Sequence, residues 1–148
     1  MSVATALLGY LQTAAATMSA PECTQVGGGE PDVVNVPTLA FWASGPETWE
    51  ANTFTYTQEY SSWHIRGYLP VSARFTPASA AAEDWIVALG DAIRGQLYGH
   101  VSMGGEATGG GMELTDSKTG WAQIGNQLCR VIDMDCRAMM ANVHVIAH

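Results

Sequence analysis

The chain has 148 residues, 47% of them apolar and 14% charged, with a formal charge of −8 and one lysine, Lys118. That length suits a single domain spanning 1–148, able to bury roughly 70% of its extended surface without disulfides, and the apolar content excludes a disordered chain. The arginines, Arg66, Arg74, Arg94, Arg130 and Arg137, are scattered, so no basic footprint for gripping nucleic-acid phosphates is present.

The first segment, "VATALLGYLQTAAATM", places Ala4, Leu7, Leu8, Leu11, Ala15 and Met18 at helical spacing, with a stop near Pro21. No basic residues precede its apolar part, and no apolar run reaches bilayer length, so neither a secretory signal nor a membrane span is expected. Cys23, Cys129 and Cys136 form an odd set without CxxC spacing; Cys129 and Cys136, seven residues apart in strand-like surroundings, are read as buried small hydrophobes, and the chain as a soluble protein of a reducing compartment. The triple glycine Gly27–Gly29 lacks the GxxxxGK[ST] pattern, and residues 24–35 are expected to be a flexible connector.

"VPTLAFWA", Val36 to Ala43, predicts a short strand, and "SGPETWEAN" a loop with turn chemistry at Gly45 and Pro46. Thr53 to Pro70 predicts a long strand with a parity change. Phe54, Tyr56 and Tyr60 lie on even positions, whereas Trp63, Ile65 and Leu69 lie on odd ones. Side chains alternate faces along a strand, so an odd correction is expected, with a bulge at Tyr60–Ser62 favoured over a hairpin.

Thr76 as N-cap and Pro77 as first helical residue introduce a helix whose stripe is Ala82, Ile86, Leu89, Ile93 and Leu97, ending at Gly99. The glycine-rich stretch after it predicts an exposed excursion, flexible near 102–111, with a short strand at Met112–Leu114. Beyond Trp121 two or three strands are expected, with a turn around Asn126 and Gln127. From Leu128 to Arg137 one face is largely apolar and the other charged. Helix, strands, helix, strands gives an α+β fold: a mainly antiparallel sheet with an N-terminal and a central helix packed on it.

Chemistry is sparse. Asp133 and Asp135 share a strand face roughly 7 Å apart, a spacing compatible with acid–base work or a hard metal, but also with a solvated face countered by Arg137. His144 and His148 have helical zinc spacing but sit in a strand-like tail. Ser61, Ser62 and His64 lack a nucleophile elbow. No catalytic residue, metal or cofactor is assigned. Trp49, between Glu47 and Glu50 in a loop, has the character of an interface aromatic.

The leading helix with "VGGGEPDVVNVPTLAFWASGP", the strand "TFTYTQEYSSWHIRGYL", the helix "TPASAAAEDWIVALGDAIRGQL" and the closing "GWAQIGNQLCRVIDMDCRAMM" together resemble the tail terminator proteins of long-tailed, non-contractile bacteriophages. The resemblance rests on pattern and order over most of the chain. It implies a structural virion protein, not an enzyme, that forms a homohexameric ring at the head-proximal end of the tail. The ring would be assembled in the host cytoplasm, cap the tail tube and meet a neck or head-completion protein. DNA would pass through its channel without specific binding, which the acidic balance suits. Under that resemblance Glu47, Trp49 and Glu50, and Gly105, Glu106 and Gly110, are the expected interface positions. The alternatives are another neck, head–tail joining or tail-tube component, and a small metal-dependent enzyme using Asp133 and Asp135 with a histidine.

Overall fold

A computed structural model describes the backbone at residues 3–44, 48–51, 56–71, 79–99 and 107–145, and the side chains at 3–44, 61–71, 79–98 and 112–138. The elements run α1 (Val3–Ala16), β1 (Gln25–Gly28), β2 (Thr38–Ala43), β3 (Thr48–Ala51), β4 (Tyr56–Pro70), α2 (Ala80–Gly99), β5 (Ala107–Ile124) and β6 (Gln127–Val145). The sheet has the order β1-β2-β4-β6-β5, and β3 pairs with β4 beyond the end of β2. All pairings are antiparallel except the parallel β1–β2. The α+β architecture with one N-terminal and one central helix is as the sequence pattern requires.

Both helices lie on one face of the sheet. Leu7 and Leu11 of α1 and Ile86, Leu89, Ile93 and Leu97 of α2 are fully buried, in one cluster with Leu39, Phe41, Ile65, Leu69, Ile132 and Met134. The spacing of the α2 stripe, four, three, four and four residues, holds those side chains on one side of a 3.6-residue helix, and burying each contributes about 1.5–3 kcal/mol. Ser79 caps α2, its Oγ accepting from the Ala82 N–H at 3.2 Å and its carbonyl from the Glu83 N–H at 3.3 Å. The expected cap at Thr76 and Pro77 lies outside the described residues. Trp85 donates through Nε1 to the Pro21 carbonyl at 3.0 Å, tying α2 to the segment after α1.

Three expected loops differ from the structure. Gln25–Gly28, within the expected connector, is strand β1, because its backbone pairs with β2 and Val26 packs against the core. Thr48–Ala51, within the expected Gly45–Asn52 loop, is strand β3, drawn into the ladder by the exposed edge of β4. The glycine-rich stretch is strand from Ala107 onward, as the first part of an 18-residue β5 held by the equally long β6. In each case pairing with a neighbouring strand overrides the weak strand preference of glycine and glutamate.

β4 is one uninterrupted strand, not a hairpin. Its irregularities sit in its neighbours. Between the pairs Gln58–Val143 and Tyr60–Met139, β4 advances two residues and β6 four. Between Ala43–Trp63 and Thr48–Tyr60 the outer strands advance five and β4 three. The β5–β6 ladder is also interrupted there, between Ala107 and Met112. These interruptions fall side by side across the sheet. From Tyr60 to Pro70 the pairing of β4 with β6 is unbroken, so the expected odd correction at Tyr60–Ser62 is not found there, and the surplus of two in β6 leaves the alternation of faces unchanged. The side chains of Phe54, Tyr56 and Tyr60 lie outside the described residues. The odd surpluses fall in β5 instead: three residues between Ala107 and Met112, which face Met140 and Ala138, and one between Leu114 and Asp116, which face Cys136 and Asp135, where Thr115 is the extra residue.

Among the described residues no helix covers the second face of the sheet. Residues 29–37, which connect the parallel strands β1 and β2, pass over it and bury Val34 against Ala40, Tyr68, Cys129 and Val131. This strap leaves β1 at Gly29, whose φ of 93° suits only glycine without strain. Gly125, with φ of 60°, occupies the first position of the two-residue turn between β5 and β6. Cys129 and Cys136 are seven residues apart on one strand and therefore point to opposite faces. All three cysteines are free and buried.

Candidate functional site

The bare face owes its polar centre to strand register. In β4 the even positions His64, Arg66 and Tyr68 point away from the helices, and in β6 the odd positions Asp133 and Asp135 do the same. Antiparallel pairing sets His64 opposite Asp135 and Arg66 opposite Asp133, while β2 brings Trp42 opposite His64 from the other side.

The imidazole of His64 lies between the two carboxylates. Its Nδ1 is 2.6 Å from Asp135 Oδ1 and its Nε2 is 2.8 Å from Asp133 Oδ1. Arg66 Nε donates to the same Asp133 Oδ1 at 2.5 Å, and Arg66 also stands 4.0 Å from Glu30 on the strap. Burial works against the Arg66 charge, but its bond and attraction to Asp133 outweigh that. Trp42 stacks beside His64 with ring centroids 4.9 Å apart, and the guanidinium of Arg66 stands 5.8 Å from the ring centroids of both Trp42 and Tyr68. Tyr68 is fully buried under the strap. Burial pushes its hydroxyl ionisation up, and its interaction with the nearby Arg66 opposes that.

The structure thus joins Asp133 and Asp135 to a histidine, but in a closed arrangement. Both imidazole nitrogens are engaged by carboxylates, and one oxygen of Asp133 serves two donors. The contacts of 2.6 and 2.8 Å are of hydrogen-bond length. Among the described residues no group of three or more His, Cys, Asp or Glu side chains is arranged to hold a metal. Arg137, the expected counter-charge, turns to β5, with Nε 3.2 Å from Glu113 Oε2.

A second cluster lies on the helical side at the other end of the sheet. Arg130 forks onto Glu83 of α2, Nε to Oε1 at 2.7 Å and Nη2 to Oε2 at 2.9 Å. It also donates to the Gly120 carbonyl at 2.7 Å and to Thr119 Oγ1 at 3.2 Å, and lies 4.5 Å from the ring centroid of Trp121. The bond from Arg130, opposed by a smaller cost of burial, holds the Glu83 carboxyl below its usual range. This cluster pins the start of α2 to β5 and β6.

Of the expected interface positions, Trp49 and Glu50 lie on β3 opposite Glu59 and Gln58, and Gly110 lies in β5. The side chains of Trp49 and Glu50 are outside the described residues, as are Glu47, Gly105 and Glu106 entirely. His144 is on β6 opposite Thr57, so its backbone is strand and not helix; its side chain, His100 and His148 are outside the described residues. The sequence pattern missed His64 and Arg66 as members of the polar face. Their signal is the even-position run His64, Arg66, Tyr68, which alternates with the apolar Trp63, Ile65 and Leu69 of the opposite face.

The chain matches no protein-family model and no curated protein.

Proposed function

We propose that this chain is a structural, self-associating virion protein of the tail terminator kind, forming a ring that caps a tail tube and presents a docking face to a neck protein. One observation supports an assembly role: side chains at the centre of the bare sheet face bind one another. His64, Arg66, Asp133 and Asp135 are joined by hydrogen bonds into a cross-linked surface. Rigid surfaces of this kind, with aromatic and arginine side chains among them, suit protein contact. The resemblance in pattern and order along the chain supplies the tail terminator identity within that role. The acidic balance fits a channel through which DNA passes without being held.

Electron microscopy of the purified protein, alone and mixed with tail tubes, tests the reading. Six-fold rings, or caps on tube ends, are the expected result. Decoration along the tube sides would assign the protein to another tail component. A stoichiometric metal in the purified protein, lost together with a measurable activity on chelation, would overturn the assembly role.

A further inference from the structure

We infer that copies of this chain join edge to edge, with β5 of one copy adding as an antiparallel neighbour to β1 of the next. The inference deepens the ring reading and rests on its self-association. Among the described residues β1 and β5 end the main path of the sheet, and β3 is a short outer strand held by β4 alone. The Gly29 N–H donates to the Phe41 carbonyl at 2.8 Å, so by alternation Gln25 and Gly27 face β2 while Val26 and Gly28 direct their N–H and C=O outward. A groove of about 540 Å³ borders this edge, lined by residues 24–31 and 38–40.

The other edge is complementary. Ser117 to Gln123 of β5 carries one charge, Lys118, and no carboxylate, whereas β1 is flanked by the exposed Glu22, Glu30 and Asp32. In a chain of charge −8 most surface pairs repel, and this pairing sets the one lysine against carboxylates. Trp121, 47% exposed and steadied by Arg130, offers the aromatic anchor on the β5 side. Direction follows from topology. β1 runs with β2 and each later neighbour reverses, so β5 runs opposite to β1. A rotation that carries the sheet into the next copy therefore lays β5 antiparallel to β1. The two edges are different surfaces, the condition for a closed ring instead of a two-fold dimer.

The test compares the assembly of wild type with Gly28→Pro by sedimentation velocity across a concentration series, with tail tubes added as template where needed. Proline is tolerated on an edge strand where its missing N–H would face outward, so the monomer should fold and lose only the intermolecular bond. The expected result is a folded monomer by circular dichroism, with the concentration for half-assembly raised about tenfold or more. A charge swap guards against a folding failure: Glu30→Lys and Lys118→Glu should each weaken assembly, and the double variant should restore it. Wild type and Gly28→Pro assembling alike, or a double variant no better than the singles, overturns the edge pairing and leaves the ring reading standing. A dimer sensitive to Lys118→Glu but not to Gly28→Pro also overturns it, in favour of β5 meeting β5. A wild-type chain that never self-associates, even on tubes, removes the ring reading and this inference with it.

Discussion

Gly67 of β4 and Leu89 of α2 stand so close that a Cβ added at position 67 would lie 2.3 Å from Leu89 Cδ2. The reverse contact is similar, since a Cβ at Gly90 of α2 would lie 2.6 Å from Ile132 Cδ1 of β6. The helix thus crosses the sheet where both elements lack a side chain, and the depth of that crossing sets how the core closes. Gly67→Ala should destabilise the protein by about 1–3 kcal/mol, through displacement of α2, and Gly90→Val by at least as much. Urea unfolding at constant m-value measures this. Gly95→Ala is the control: a Cβ there meets nothing within 4 Å, and in a helix it should stabilise slightly.

Arg130 is a geometric pin and not just a charge. Lysine cannot reproduce the fork on Glu83 together with the bonds to Gly120 and Thr119, so Arg130→Lys should cost about 1–2 kcal/mol, read from thermal or denaturant unfolding.

The depressed Glu83 carboxyl gives that pair a pH dependence. A carboxyl whose folded value lies below its unfolded value stabilises the fold above the unfolded value, near 4.5, and that contribution disappears as pH falls through the lower folded value. Glu83 is 42% exposed, so solvent screens the interaction and keeps it modest. Glu83→Gln should lower stability at pH 7 by under about 1 kcal/mol and flatten the acid limb of the stability curve below pH 4.5.

The buried thiols should be silent in the native state. Burial pushes Cys23 and Cys129 up to about 11, and burial with the nearby Asp135 charge pushes Cys136 up to about 12. The thiolate is the reactive form, so a disulfide-exchange reagent at pH 8 should modify almost none of the three until denaturant is added. Rapid labelling of the folded protein would contradict this.

Asp133 is the shared acceptor of the bare face. Asp133→Asn keeps the shape but offers Arg66 and His64 a neutral partner, and should cost about 1–3 kcal/mol. His64→Gln should cost less, because Arg66 retains Asp133. Comparing the two by chemical denaturation separates a shared-acceptor network from independent surface pairs.

Much of the fold was legible because helices and half-buried strands have strong periods. The stripe from Ala82 to Leu97 and the alternation from Leu128 to Arg137 each fix an element and its buried face. Weak strand formers are recruited by neighbouring strands: Gly27 and Gly28 into β1, Glu50 beside Trp49 into β3, and the glycines after Ala107 into β5. The polar face was half legible. Asp133 and Asp135 share parity within one strand, which sequence shows, but their meeting with His64 depends on the register between β4 and β6, some 70 residues apart, which local pattern does not encode.

The central claim is that these surfaces fit other protein subunits and do not transform a small molecule. Cryo-electron microscopy of the protein bound to isolated tail tubes tests it most directly. The account predicts a closed ring of six copies at one end of each tube, with β5 and β1 of adjacent copies in contact. Single copies scattered along the tube wall, or no association with tubes at any concentration, would contradict it.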